Sequence, residues 1–264
     1  MNLNPDYILP SISGRLGNNL FMIANAYAIG LEYNKQVVVA RSQLRYEGND
    51  YSKNIFSKID FIEHFIDGDN INPKVPSDYK PNIYSGYFQS EKYFKKYSES
   101  IKSIFGPPLD FVNRVLSEIP ILSEEKITAI NIRRGDYLIY SDYHPVITPE
   151  YCYKASEKIE TNHYLIISDD IEWCRNNLKF ENSTFLEGYK PHEQLWIMSL
   201  CRNFIISNSS FSWWGSYLSR NKNKIVVAPK TWFGPRHKED WSDIYCTDWI
   251  VLPTFYESGN ILPI

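Results

Sequence analysis

The chain has 264 residues, a hydrophobic fraction of 43% and a charged fraction of 22%, which are typical of a soluble globular protein with one large or two modest domains. The formal net charge is -3 and no long Lys/Arg-rich block occurs, which excludes general nucleic-acid binding through a broad basic face.

Targeting and redox features indicate a cytoplasmic protein. The four cysteines are far apart and form no CxxC pair, so we expect reduced thiols rather than zinc ligands or disulfides. The first residues, MNLNPDYILP, lack the pattern of a signal peptide, and no apolar stretch approaches the ~20 residues that span a bilayer.

Apolar spacing predicts secondary structure in chain order. A helix is expected over 18–33 and a strand over 36–40, whereas 41–125 indicates only a helix near 91–104. From residue 126 onward, strands alternate with helices. The strands are predicted at 127–132, 163–168, 183–187, 203–207 and 224–229, and the helices at 149–160, from Ile171, at 192–201 and at 209–218.

This alternation of apolar strands and helices predicts a parallel sheet covered on both faces, in an α/β domain of Rossmann-like type. The sequence GPP marks a break, and the domain boundary is expected between 107 and 125. We therefore divide the chain into an N-terminal α/β domain, 1–120, and a C-terminal Rossmann-like domain, 121–264.

Two adjacent arginines follow the strand at 127–132. Parallel sheets bind ligands at the carboxyl ends of their strands, and the forked guanidinium matches phosphate oxygens. At ~4 Å and an effective dielectric of ~20, each charge pair contributes about 4 kcal/mol before desolvation. Arg133 and Arg134 therefore suit a diphosphate that is held without a metal ion. The alternative is a structural ion pair with Asp136 or another carboxylate.

Two further segments offer polar groups beside a helix start. SNSSFSWWG (207–215) combines hydroxyls with free backbone N–H groups in an anion cradle, or else a serine caps a helix whose tryptophans lie in the core. In ISGRLGNNLF (12–21), Gly14 and Gly17 permit close approach of a ligand, and Asn18 or Asn19 can cap the helix or donate to a phosphate. An ordinary turn is the alternative.

Paired acids occur twice. Asp169 and Asp170 follow the strand at 163–168 and suggest a metal site, a general base or a helix N-cap. Asp67-Gly68-Asp69 imitates a DxD metal motif, but its Gly/Asn/Pro-rich surroundings favour a surface turn. Taken together, the polar strand ends predict a nucleotide diphosphate in a cleft between two halves of the chain.

Four motifs in this order resemble the α-1,2-fucosyltransferases of glycosyltransferase family 11. They are GRLGNNLF, NIRRGDY, SDD and SNSSFSWWGSYL, and the resemblance spans about 14 to 233. The sequence departs from the family pattern twice, because Asn131 stands where His is usual and Asn19 where Gln is common.

The resemblance implies a GT-B architecture, with two Rossmann-like domains facing a cleft and GDP-fucose held mainly by the second. It also implies a metal-independent, inverting transfer of L-fucose from its β-linked donor to the 2-hydroxyl of a galactose. Arg133 and Arg134 would neutralise charge that grows on GDP, and Asp136 is the first candidate for the base. The implied donor-binding residues are Gly14, Gly17, Asn18, Asn19, Asn131, Arg133, Arg134, Asp169, Glu193 (reading guanine), Asn208, Ser209, Ser210 and Phe211.

Other readings remain open. The replacement at Asn131 also suits a non-catalytic nucleotide or sugar binder, and a glycoside hydrolase would require paired carboxylates that the sequence does not offer convincingly. The resemblance implies that the acceptor is a galactose-containing surface glycan or oligosaccharide. It is sometimes lipid-linked, in which case we expect peripheral contact with the inner membrane. Segment 41–125 and loop 140–145 are expected to bind it, with Tyr46, Tyr87 and His144 as candidates.

Overall fold

The computed structural model describes residues 7–62, 86–124 and 126–253. The chain divides into two compact units, Met1–Gly106 and Pro107–Ile264, and the division falls within the predicted GPP break. The Asp67-Gly68-Asp69 motif lies outside the described residues.

The first unit contains a three-stranded parallel sheet of order β1-β2-β5 and an antiparallel pair, β3 and β4. Its elements are β1 (Tyr7–Ile8), α1 (Leu16–Tyr33), β2 (Gln36–Ala40), β3 (Arg45–Tyr46), β4 (Asn49–Asp50), β5 (Asp60–Ile62) and α2 (Ser98–Phe105). The strand predicted at 36–40 is confirmed. Helix α1 begins two residues before its predicted start, and the region near 91–104 contains two short 3-10 turns before α2.

The second unit is built on a six-stranded parallel sheet of order β11-β10-β9-β6-β7-β8. Its elements are α3 (Leu109–Glu118), β6 (Ile127–Ile132), α4 (Pro149–Ser156), β7 (His163–Ser168), α5 (Ile171–Asn177), β8 (Ser183–Phe185), α6 (Pro191–Leu200), β9 (Asn203–Ile205), α7 (Ser210–Tyr217), β10 (Val226–Pro229) and β11 (Ile250–Leu252).

The core of this unit follows from its apolar strands. All six residues of β6 are buried, and Ile130 lies opposite Ile166 on β7 and Ile205 on β9. Each such side chain stabilises the fold by about 1.5–3 kcal/mol when fully buried. The α/β class and the parallel sheet predicted from strand–helix alternation are confirmed. The predicted helix at 149–160 is shorter than expected, and α3 and β11 were not predicted.

Strand order determines where a ligand site can form. From β6 the chain runs through β7 and β8 toward one edge of the sheet, and from β9 through β10 and β11 toward the other. The reversal between β6 and β9 leaves a crevice at their carboxyl ends, which is where open α/β sheets bind ligands. In the described part of the chain, no helix is long and apolar enough to cross a membrane.

Candidate functional site

The carboxyl ends of β6, β7 and β9 bring the predicted site residues of the second unit together. Arg133 and Arg134 follow β6, Asp169 and Asp170 follow β7, and Asn208 lies between β9 and α7. These segments lie on either side of the topological reversal.

Arg133 is held between two carboxylates. Its Nη1 lies 2.7 Å from Oδ2 of Asp169, its Nη2 pairs with Asp136, and its guanidinium carbon lies 5.5 Å from the ring centre of Tyr137. The side chain is 22% exposed. A guanidinium carries five N–H donors, so these two pairs leave donors for a further anion. The predicted alternative of an ion pair with Asp136 is confirmed as a contact, and it is compatible with phosphate binding.

Arg134 occupies a different environment, because its side chain is only 7% exposed. Its Nε donates to Oδ2 of Asp170 over 3.1 Å, and its guanidinium lies 3.7 Å from the ring centre of Trp173. Asp170 also caps α5 by accepting from the backbone N–H of Trp173. The N-cap interpretation of Asp170 is confirmed, and Arg134 anchors the loop to α5.

Asp169 fastens the arginine loop from the other side. Its Oδ1 accepts from the backbone N–H of Arg134 over 2.9 Å, while its Oδ2 faces Arg133. A Cβ on Gly135 would lie 2.4 Å from that Oδ2, so a side chain at this position would displace the carboxylate. Burial raises the pKa of Asp169 more than the N–H of Arg134 lowers it, and Asp136 and Asp170 add to the rise.

Asn131 lies beneath this edge and is 5% exposed. Its Nδ2 donates to the carbonyl of Ile167 over 3.1 Å, and its Oδ1 accepts from the hydroxyl of Ser212 over 2.5 Å. The amide therefore joins β6 to β7 and to α7. A shorter amide in place of the usual imidazole serves here as a bridge inside the domain.

The start of α7 is capped from within. Ser209 accepts from the backbone N–H of Phe211 over 3.3 Å, as the N-cap interpretation predicted, and Trp213 and Trp214 are fully buried. Ser210 and Phe211 are half-buried. The structure thus brings a helix N-terminus, which favours negative charge, to the same sheet edge as Arg133.

Asn208 connects three loops at this edge. Its Nδ2 donates to the carbonyl of Trp232 over 2.9 Å, and its own carbonyl accepts from the hydroxyl of Tyr137 over 3.1 Å. Its Oδ1 is buried without a hydrogen-bond partner among the described residues. Tyr137, Gly135 and Trp232 were not predicted, although the first two belong to the RRGDY motif.

Glu193 lies in the first turn of α6. Its Oε2 accepts from the backbone N–H of Lys190 over 3.0 Å, and its Oε1 lies 2.7 Å from Nη2 of Arg114 on α3. Burial favours the protonated form, but the N–H of Lys190 and the charge of Arg114 outweigh it and lower the pKa of Glu193. The carboxylate is thus ionised and held by protein groups, and its guanine-reading role stays a prediction.

The glycine–asparagine loop belongs to the first unit, between β1 and α1. Gly14 has φ +78°, and Nδ2 of Asn19 donates to the carbonyls of Ser13 and Gly14 over 3.0 and 3.3 Å. Asn18 accepts from Gln89 over 2.9 Å, and Gly17 is buried in the first turn of α1. The N-cap residue is Arg15, so the prediction that Asn18 or Asn19 caps the helix is wrong: both lie inside it.

The acceptor candidates occupy separate places. Tyr46 accepts a hydrogen bond from Nε of Arg15 over 3.1 Å, and Tyr87 is 47% exposed; both lie in the first unit. His144 lies in the second unit and stacks on Tyr137, with ring centres 4.4 Å apart.

A parallel α/β sheet with arginines and a helix N-terminus at its switch point is suited to binding a phosphate-bearing ligand such as a nucleotide. Residues 11–253 match the family described as Glycosyl transferase family 11, and the chain belongs to that family. It is therefore a glycosyltransferase of the fucosyltransferase type.

Relatives agree with this assignment. An alpha-1,2-colitosyltransferase of Escherichia coli is 26% identical over 86% of this chain and 92% of its own. A galactoside 2-alpha-L-fucosyltransferase of Caenorhabditis elegans is 26% identical over 53% of this chain and 43% of its own.

Solved structures show the same fold. NodZ alpha-1,6-fucosyltransferase soaked with GDP-fucose has a TM-score of 0.50 at 12% identity, over 81% of this chain and 92% of its own. NodZ from Bradyrhizobium, solved separately, has a TM-score of 0.50 at 10% identity, over 81% of this chain and 92% of its own. The predicted α/β fold class of GT-B type is confirmed.

Proposed function

We propose that this glycosyltransferase moves L-fucose from GDP-fucose to the 2-hydroxyl of a galactose in a surface glycan or oligosaccharide. The observation that carries the proposal is the guanidinium of Arg133, fixed between Asp136 and Asp169 at the switch point of the sheet. The names of two relatives support the linkage, because one is an alpha-1,2-colitosyltransferase and the other a galactoside 2-alpha-L-fucosyltransferase.

The reaction is an inverting single displacement. The galactose oxygen forms a bond to C1 of fucose while the bond from C1 to the β-phosphate oxygen of GDP breaks, so negative charge grows on the diphosphate. Arg133 and the backbone N–H groups at the start of α7 stabilise that charge, and no metal ion is required. Arg134 positions the loop through Asp170 and Trp173.

The acceptor must lose a proton as its oxygen attacks. Asp136 is the candidate to take it, because its carboxylate is 33% exposed and adjoins Arg133. The guanine base is proposed to donate to Glu193, whose oxygens each retain a second lone pair. Glu193→Gln should then reduce the preference for GDP over IDP, which lacks the guanine 2-amino group; an unchanged preference would exclude this role.

A related donor is the second candidate, because the colitosyltransferase matches most of both chains. Colitose is the 3-deoxy analogue of fucose, so the two donors differ by one hydroxyl group. Purified protein should be assayed with GDP-fucose and GDP-colitose, with lactose, LacNAc and Galβ1-3GalNAc as acceptors. The expected result is faster GDP release from GDP-fucose, with an α-1,2 linkage in the product. Faster transfer from GDP-colitose would instead show that GDP-colitose is the preferred donor.

Metal independence is tested in the same assay. Turnover is expected to be undiminished by EDTA, and its abolition by the chelator would exclude the metal-free mechanism. Tight GDP binding without turnover on any acceptor would instead support a non-catalytic binder. We also propose a cytoplasmic location, with peripheral membrane contact when the acceptor is lipid-linked, which fractionation of cells would test.

A further inference from the structure

Two loops at the carboxyl end of the second unit's sheet are joined edge to edge. One is residues 137–144, after β6, and the other is residues 232–237, after β10. The N–H of Gly234 donates to the carbonyl of Tyr143 over 2.9 Å, and the N–H of Arg236 donates to the carbonyl of Asp142 over 3.2 Å. A Cβ on Gly234 would lie 2.3 Å from the carbonyl oxygen of Asp142, so this approach requires glycine.

The joined loops carry a continuous group of rings, which we call the loop-pair cluster: Tyr137, Tyr143, His144, Phe233 and His237. Stacked pairs occur at both ends, Tyr137–His144 at 4.4 Å and Phe233–His237 at 4.1 Å between ring centres. Tyr143 contacts His144 and Phe233 edge-on and shares a hydrogen bond of 2.8 Å with Nδ1 of His237. Except for Tyr137, these rings are all partly exposed.

The cluster begins at the proposed donor site. Tyr137 follows Asp136 directly, lies beneath the guanidinium of Arg133, and donates to the carbonyl of Asn208. Asn208 in turn donates to the carbonyl of Trp232, at the root of the second loop. The rings therefore extend outward from the place where the diphosphate is proposed to bind, and the proposed donor contacts involve none of them.

We propose that the loop-pair cluster is the binding platform for the acceptor, a neutral galactoside, which places acceptor recognition in the same unit as the donor site. This inference rests on the proposed function for the identity of the sugar. The axial 4-hydroxyl of galactose leaves an apolar C–H face that stacks on aromatic rings, while a few polar atoms fix its orientation. Asp136 stands at the inner end of the cluster, where the 2-hydroxyl must react.

The electrostatics of the cluster suit an uncharged ligand. Burial lowers the pKa of His144 although the charge of Asp136 opposes that shift, so this imidazole is mostly neutral near pH 7. Its Nδ1 is buried and has no hydrogen-bond partner among the described residues. The ion pair of Arg236 with Asp142, at 3.7 Å, is neutral as a pair.

The chain offers a matched control for removing one ring. Phe180 packs on Tyr164, near the amino end of β7, with ring centres 4.4 Å apart, and it is half-buried like Phe233. Phe233→Leu and Phe180→Leu both remove an aromatic ring and keep apolar volume. We expect Phe233→Leu to raise the acceptor KM about five- to tenfold with the GDP-fucose KM unchanged, whereas Phe180→Leu leaves both unchanged.

Direct binding separates this inference from the donor assignment. Saturation-transfer NMR with methyl β-galactoside, without any nucleotide, should show contact with wild-type protein, weakened in Phe233→Leu and in Gly234→Ala. Gly234→Ala keeps every ring but forces the two loops apart, so its loss of galactoside binding would show that binding requires the joined loops. Absence of galactoside contact in the wild type, or equal weakening in Phe180→Leu, would overturn the platform. If the galactoside binds the cluster but the protein does not transfer fucose from GDP-fucose, the platform stands and the proposed donor is refuted.

Discussion

The two units present their first strand–helix loops in different ways. In the second unit, the loop after β6 is fixed by charge: Arg133 and Arg134 are held by three carboxylates from two neighbouring segments. In the first unit, the loop after β1 is fixed by backbone geometry, with Gly14 at positive φ and Asn19 bonded to two carbonyls. We therefore expect the arginine loop to change its partners when an anion binds, whereas the first-unit loop, held by carbonyl contacts, should mainly keep its shape.

The largest expected effect is loss of turnover in Arg133→Ala. Removing a preorganised positive group from a developing charge lowers turnover about 10²- to 10³-fold. Arg15 is the matched arginine of the first-unit loop: it donates to Tyr46, pairs with Glu47 at 4.0 Å and is 41% exposed. Arg15→Ala should lower turnover less than about tenfold, because its ion pair with Glu47 is long and exposed and contributes little. The measurement is kcat at saturating substrates. Equal losses in the two variants would show that the arginine of the second-unit loop has no special role in turnover.

Arg134→Ala should lower both activity and stability. Its guanidinium is buried against Asp170 and Trp173, and the variant leaves a partly exposed carboxylate without its partner. We expect a loss of about 1–3 kcal/mol in the free energy of unfolding, measured by urea titration, together with a fall in turnover. Arg133→Ala is the control, because its more exposed side chain should cost less stability. A variant with unchanged stability would show that Arg134 is not an anchor.

Much of this second unit could be predicted from sequence. Its long apolar strands, such as ITAINI, are buried on both faces and alternate with helices, so their type and order followed from the pattern. Strand β11 and helix α3 were missed, because three residues of strand carry little periodicity and α3 lies directly after the Pro-rich break. The first unit was harder, since its described strands contain two to five residues.

The site was predicted at the level of segments and less well at the level of contacts. The positions of Arg133, Asp169 and Ser209 at strand ends followed from motif and topology. Two features of the site depend on contacts between segments far apart in the chain. Arg133 is more exposed than Arg134, and Asn131 bridges β6 to α7. No local pattern encodes such contacts.

A matched glycine pair provides a smaller test of the comparison. In Gly135→Ala the new methyl group collides with Oδ2 of Asp169 at 2.4 Å, which displaces the carboxylate that holds Arg133. In Gly14→Ala the strain comes from φ +78° and from Nδ2 of Asn18 at 2.8 Å. Each variant should lose about 1–2 kcal/mol of stability. Turnover, assayed well below the unfolding temperature, should fall at least tenfold more in Gly135→Ala than in Gly14→Ala. A larger fall in Gly14→Ala would contradict the greater role of the second-unit loop in turnover.

The smallest expected effect is a pH dependence of the second unit's stability. Burial lowers the pKa of His144, His163 and His192 from 6.5, so each contributes stability that is present above pH 6.5 and lost as pH falls through its folded value. All seven tryptophans lie in this unit, so their fluorescence reports its unfolding. The urea midpoint should fall between about pH 7.5 and pH 5.5, and less so in His144→Gln. If the urea midpoint of His144→Gln falls as far as that of the wild type, His144 does not contribute to this pH dependence.

The central claim is that Arg133, with the start of α7, binds the diphosphate without a metal ion. The most direct measurement is the distance from the guanidinium of Arg133 to the β-phosphate in a structure solved with GDP and EDTA. The account predicts a hydrogen bond of about 2.7–2.9 Å, with Ser210 or Phe211 donating to the same diphosphate. Diphosphate bound elsewhere, with Arg133 still enclosed by Asp136 and Asp169 alone, would contradict it.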